Sequence, residues 1–153
     1  MGYFSGRTWL GLLAAASLAA GCSQGEQAAV LPEIVKTRQA NFKSFSAANK
    51  ALKAEFEKPK PSADVVSKNL APMLTHGAQI TTWFPENTQE GTEALPAIWE
   101  KPAEFAARAE TFNAAVASLQ AATATGDMAS AKAAFEKLGP TCKGCHDTFR
   151  QKK

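Results

Sequence analysis

The segment GDMASAKAAFEKLGPTCKGCHDTFRQKK, residues 126–153, predicts a final helix that carries two cysteines and a histidine. Its apolar residues recur every three or four positions, which is the spacing of one face of an α-helix. Asp127 is suited to cap the N-terminus of this helix. Gly139 and Pro140 interrupt the pattern one turn before the cysteines, so we expect a kink there. The residues of the face are Met128, Ala131, Phe135, Leu138, Cys142, Cys145 and Phe149.

Three more stretches show the same period, and together the four predict an all-α protein, an antiparallel four-helix bundle. The first runs from Pro32 to about Lys58, the second follows a capping residue, Ser62, and the third begins at Pro102. A long connection, roughly residues 83–102, precedes the third helix, and we expect its two tryptophans to pack it onto the bundle. The three faces comprise Val35, Arg38, Phe42, Phe45, Asn49, Leu52 and Phe56, then Val66, Leu70, Met73, Gly77 and Ile80, then Phe105, Phe112, Val116 and Leu119.

The composition indicates a single domain of nearly balanced charge. The chain has 153 residues, of which 17 are basic and 14 acidic, so its formal net charge is +3. It has no stripe of arginines and lysines with interleaved aromatics, which argues against nucleic-acid binding. Alanine is abundant and β-branched residues are sparse, and both features favour helix.

The N-terminal segment has the features of an export signal. Residues 1–21 hold one cation, Arg7, and an apolar run that is too short to span a bilayer. Their end, LAAGC, resembles a bacterial lipobox, which implies cleavage before Cys22 and a lipid anchor on its sulfur. The alternative is an ordinary signal peptide cut near Ala20. Residues 22–31 then form a flexible tether, and the mature protein works outside the cytoplasm, in the periplasm.

The motif near the C-terminus favours covalent haem attachment. In a helix, Cys142, Cys145 and His146 occupy positions i, i+3 and i+4 and share one face. Each thiol can bond one haem vinyl group, and the histidine can then ligate the iron. A zinc site would need four ligands, and beyond the motif only His76 and Cys22 remain. A thioredoxin-like dithiol would need a βαβ context, and a disulfide within one helical turn would be strained.

Residues 32–153 resemble cytochrome c′, the class II c-type cytochromes. The resemblance rests on VKTRQA, FPENTQEG, PAIWEKPAEF, GDMASAKAAFEKLG and CKGCHDTFRQKK. It implies one covalent haem c in the bundle, with Arg38 near the haem propionates, Gln39 beside it in the haem site, and Arg150 next to the proximal histidine. It places Phe42 on the opposite, distal side. It also implies binding of NO and CO and a homodimer formed through the first two helices.

Low-spin relatives of the cytochrome c-556 kind carry a methionine ligand on the first helix. Here the methionines are Met1, Met73 and Met128, so we expect a five-coordinate iron under an apolar wall of Phe42 and Phe45.

The alternatives belong to different functional classes. One is a six-coordinate electron-transfer cytochrome with a periplasmic redox partner, in which Met73 or His76 would supply the sixth ligand. We expect Met73 to lie in the core and His76 to be exposed. Another is a non-haem structural or metal-storage bundle. No acid/base pair or nucleophile stands out, so we do not expect an enzyme.

Overall fold

The structure, a computed structural model, describes residues 1–2 and 31–152. The signal segment 1–21, the tether 22–31 and Cys22 therefore lie almost wholly outside the described residues. The elements are α1 Glu33–Phe56, α2 Ala63–His76, a 3₁₀ helix Gly77–Trp83, α3 Ala97–Glu100, α4 Pro102–Ala124 and α5 Met128–Phe149.

The long helices α1, α2, α4 and α5 form the four-helix bundle that the sequence predicts. Helix α1 packs along α2, α2 against α4, and α4 along α5. The largest fully buried side chains are Leu52, Leu70, Met73, Leu119 and Leu138, so all four long helices contribute to one core. Within the described ranges, no helix is both long enough and apolar enough to cross a membrane.

The predicted helix starts are confirmed. The Asp127 carboxylate accepts hydrogen bonds from the backbone N–H groups of Ala129 and Ser130, and Ser62 Oγ accepts one from Val65 N. Hydrogen bonds from Ser130 hold the pKa of Asp127 below its ordinary value.

Helix α5 is continuous through Pro140, since it runs from Met128 to Phe149 with the proline inside it, and the expected kink stays a prediction. Proline lacks the N–H that would bond to the carbonyl one turn earlier, that of Glu136. Gly139, Pro140 and Glu136 are all exposed, so water can satisfy that carbonyl.

The second helix ends earlier than its apolar pattern suggests. Helix α2 stops at His76, and the chain continues as the 3₁₀ helix, which still buries Gly77, Ile80 and Trp83. Gly77 packs tightly against α4, since a Cβ at this position would lie 2.2 Å from Asn113 Oδ1. A residue with a side chain at position 77 would therefore require the Asn113 side chain to move.

The segment between the 3₁₀ helix and α4, residues 84–101, is called the connection below. As expected, it packs onto the bundle: Ile98 is buried and Trp99 is half-buried. The Trp99 indole N–H donates to the carbonyls of Phe84 and Pro85, which closes the connection on itself.

Candidate functional site

The cysteine–histidine motif occupies the last two turns of α5. Cys142 and Cys145 are free, half-buried and packed against the apolar core, whereas His146 is exposed. Burial raises the pKa of both thiols, so they are protonated at neutral pH. Although the residue is exposed, partial desolvation of its ring lowers the pKa of His146, and the positive charge of Arg150 lowers it further.

An aromatic cluster joins α1 to the 3₁₀ helix and the start of the connection. The Phe42 ring lies 5.9 Å from Phe45, 5.5 Å from Trp83 and 6.2 Å from Phe84, measured between ring centroids. Phe45 in turn stacks on Phe112 of α4 at 5.5 Å. The two phenylalanines that the family resemblance assigns to the distal side, Phe42 and Phe45, thus belong to one wall of aromatic rings, defined here as Phe42, Phe45, Trp83 and Phe84.

Arg38 is buried one turn before Phe42, with 3% of its surface exposed. Its Nη1 donates to Thr88 Oγ1 at 3.0 Å and to Trp83 O at 3.4 Å. Its Nη2 donates to Thr88 O at 2.6 Å and to Thr92 Oγ1 at 3.2 Å. The guanidinium also lies 4.5 Å from the centre of the Phe84 ring, a cation–π distance.

These contacts assign Arg38 a structural partner that the sequence analysis did not find. A charged side chain buried on an apolar helix face needs hydrogen-bond partners. Here the guanidinium of Arg38 donates to carbonyl and hydroxyl oxygens of the connection. The two threonines of the connection, Thr88 and Thr92, are the sequence feature from which these hydrogen-bond acceptors could have been predicted. Gln39, the neighbouring predicted site residue, is exposed.

Arg150 follows α5 directly and pairs with the connection. Its Nε lies 3.5 Å from Glu93 Oε2, and its backbone N–H donates to the His146 carbonyl at 3.2 Å. Glu93 is a site residue that sequence reasoning missed, because it lies far from the motif along the chain.

Comparison with known proteins assigns the chain to a family. The family model described as Cytochrome C′ matches residues 33–150. The chain belongs to the cytochrome c′ family. A cytochrome c′ of Rubrivivax gelatinosus is 46% identical over 92 residues, which are 59% of this chain and 71% of the relative. A cytochrome c-556 of Agrobacterium tumefaciens strain B2A is 33% identical over 120 residues, which are 78% of this chain and 98% of the relative.

A solved cytochrome c′ has the same fold. The nitric oxide complex of a cytochrome c prime variant from Alcaligenes xylosoxidans is 30% identical, with a TM-score of 0.72. The match covers 78% of this chain and 94% of that structure. This cytochrome c′ is therefore a four-helix, c-type haem protein whose cofactor is one covalent haem c.

The residues of the motif fit a covalently attached haem. The two thiols are unpaired, lie on one helical face three residues apart, and adjoin the apolar core, where a porphyrin ring would be shielded from water. The imidazole of His146 follows on the same face. Among residues 31–152, no group of three or more histidines, cysteines and acidic residues is placed to hold a metal ion by itself.

The two other candidate ligands differ in their surroundings. Met73 is 1% exposed and lies in the core, as expected. The expectation that His76 is exposed is wrong, since it is half-buried and its Nδ1 has no hydrogen-bond partner in the described part of the chain. The reason is the tight packing of the next residue, Gly77, against Asn113, which draws the end of α2 onto α4.

Proposed function

We propose that this cytochrome c′ is a periplasmic gas-binding haem protein whose iron is ligated by His146 alone. The observation that carries the proposal is the wall of Phe42, Phe45, Trp83 and Phe84, whose side chains contain no sulfur, oxygen or imidazole. The family resemblance puts this wall on the distal side of the haem.

Cys142 and Cys145 would hold the cofactor by thioether bonds to its vinyl groups, and His146 would be the proximal ligand. When bound, the haem supplies an iron that binds diatomic gases and exchanges one electron. Arg38 and Gln39 would lie at the propionate edge, and Arg150 beside the proximal histidine.

The polarity of the wall favours some gases over others. The three phenylalanines of the wall carry no hydrogen-bond donor, and the indole N–H of Trp83 is the single donor among its four side chains, so a polarised O₂ complex would gain little stabilisation there. The NO and CO complexes depend less on such donors, so these two gases are the proposed ligands. The same lack of an acid/base group beside the iron argues against peroxidase-type catalysis and supports a binding or electron-transfer role.

Location and assembly complete the proposal. Residues 1–21 would direct export, Cys22 would carry the lipid anchor, and residues 22–31 would tether the bundle to the membrane. The family resemblance supports a homodimer through α1 and α2. Mass spectrometry of the N-terminal peptide tests the lipid anchor, and sedimentation of the purified protein tests the homodimer.

The central test is the visible spectrum of protein expressed with the c-type maturation machinery. We expect a broad high-spin ferrous spectrum that changes on addition of CO or NO. The variant His146→Gly should lose this spectrum and regain it when imidazole is added. Cys142→Ser and Cys145→Ser should each retain haem by one thioether bond, and the double variant should release it on denaturation.

A second candidate is a six-coordinate electron-transfer cytochrome, which the similarity to a cytochrome c-556 favours. Sharp low-spin bands that do not respond to CO would decide for it, with Met73 and His76 as the first ligands to replace. Absence of covalent haem after maturation would instead decide for a non-haem bundle.

A further inference from the structure

The end of α5 is joined to the connection by backbone hydrogen bonds. Leu95 N donates to Phe149 O at 3.0 Å, and Gln151 N donates to Glu93 O at 2.8 Å. These two bonds form an isolated antiparallel bridge around Arg150. The backbone of residues 149–151 is therefore held against residues 93–95, only a few positions after His146.

Next to this bridge, the side chains of Glu93 and Arg150 form an ion pair near the histidine. Glu93 Oε2 lies 3.5 Å from Arg150 Nε, and the two side chains are 44% and 45% exposed. Arg150 and His146 line the same surface depression, of about 550 Å³, together with Lys143, Lys152 and Asp147, and the Asp147 carboxylate pairs with Lys143. Without the Glu93 carboxylate, the guanidinium could take several positions in this depression.

An exposed ion pair ordinarily holds a long side chain weakly, because ordering both partners costs conformational entropy. Here the backbone bonds on either side of the Ala94–Arg150 bridge keep the backbones of Glu93 and Arg150 close together, so the Glu93 carboxylate stays within reach of the guanidinium. The carboxylate can therefore hold the guanidinium in one position more firmly than it would in a surface ion pair without such a bridge.

We propose that Glu93 is a positioning residue that holds the Arg150 guanidinium in one place beside His146. The proximal imidazole then has a single electrostatic environment. This inference rests on the proposed ligation of haem iron by His146.

The test is resonance Raman spectroscopy of the ferrous holoprotein, read at the iron–histidine stretching band. Glu93→Gln removes the charge and should broaden the band, because the released guanidinium occupies several positions. Glu93→Asp keeps the charge and should restore much of the original width. Glu90→Gln is the matched control, since Glu90 is an exposed acid of the same connection, and its band should keep the wild-type width.

A double variant separates positioning from a direct effect of the Glu93 charge. If Glu93 acts through Arg150, Glu93→Gln should add no broadening in a protein that already carries Arg150→Gln. Equal broadening in both backgrounds, or an unchanged band in Glu93→Gln, would overturn the inference while leaving His146 ligation intact. A wild-type protein with haem but no iron–histidine band would overturn the proposed ligation itself.

Discussion

Phe42 is the residue on which the proposed gas-binding site depends most. Its ring contacts three other aromatic rings of the wall and is itself half-buried. Phe42→Ala removes the bulk next to the proposed ligand position, so CO should associate about tenfold faster, equivalent to a barrier lower by about 1.4 kcal/mol. Flash photolysis of the CO complex measures this rate.

Phe135→Ala is the matched control for that experiment. Phe135 stacks on Phe56 at 5.2 Å and is half-buried, but it does not belong to the wall. Phe135→Ala removes the same side chain as Phe42→Ala, but from a position outside the wall. CO should therefore bind this variant at the wild-type rate. If Phe135→Ala accelerates binding as much as Phe42→Ala, the effect is general loosening of the bundle rather than access along Phe42.

For single residues, the sequence was sufficient where the arrangement depends only on neighbours along the chain. Cys142, Cys145 and His146 share a helical face because of their spacing alone, and that arrangement needs no knowledge of distant contacts. The partners of Arg38 could not be predicted in this way. Its hydrogen-bond acceptors lie 45 to 54 residues further along the chain and only meet it once the bundle has formed.

Among the elements, the connection depends on Arg38. Arg38→Met leaves the Thr88 carbonyl without its charged donor, and a buried acceptor left unpaired costs about 1–3 kcal/mol. We expect Arg38→Met to lose stability in that range and to speed hydrogen exchange across residues 84–96. Urea denaturation and amide exchange of the holoprotein measure the two effects.

Arg108→Met provides the comparison. Arg108 is exposed on α4 and pairs with Glu104 at 3.8 Å, an arrangement worth about 0–1 kcal/mol. Its loss should change stability little and leave exchange in the connection unaltered. Equal exchange rates in the two variants would show that the connection holds its position without Arg38.

Periodicity predicted the long helices well because each has a continuous apolar face and a clear start or stop. Helix α1, for example, ends at Phe56, shortly before two prolines. The change from α2 to a 3₁₀ helix was not predictable, since the apolar positions continue through Gly77 and Ile80. The four-residue helix α3, Ala97–Glu100, is too short to show a period.

For the whole molecule, amphipathic helices were sufficient to predict a bundle, because each needs neighbours to bury its apolar face. They did not predict that the connection meets the segment after α5. The bridge between residues 94 and 150 joins the connection to the segment after α5 through backbone groups, and backbone hydrogen bonding carries no side-chain signature.

The stability of the molecule should depend on pH through a buried carboxylate at the junction of α1 and α2. Glu55 is 3% exposed and accepts hydrogen bonds from Lys58 Nζ at 2.5 Å and from Ser62 N at 2.8 Å. The bond from Lys58, then that from Ser62, holds the pKa of Glu55 below its ordinary value. Unfolded Glu55 therefore takes up a proton at a higher pH than the folded residue does.

It follows that the stabilisation from Glu55 is complete above the pKa of the unfolded residue and is lost as the pH falls through the lower folded pKa. Glu55→Gln cannot lose a charge on acidification, so its unfolding free energy should decline less steeply with falling pH. Glu57→Gln is the control, because Glu57 is exposed and its carboxylate lies 3.8 Å from Lys53 Nζ at the surface. Urea midpoints of the wild type and the two variants across the acidic pH range test this. If the unfolding free energy of Glu55→Gln falls with pH as steeply as that of the wild type, the junction of α1 and α2 does not depend on this carboxylate.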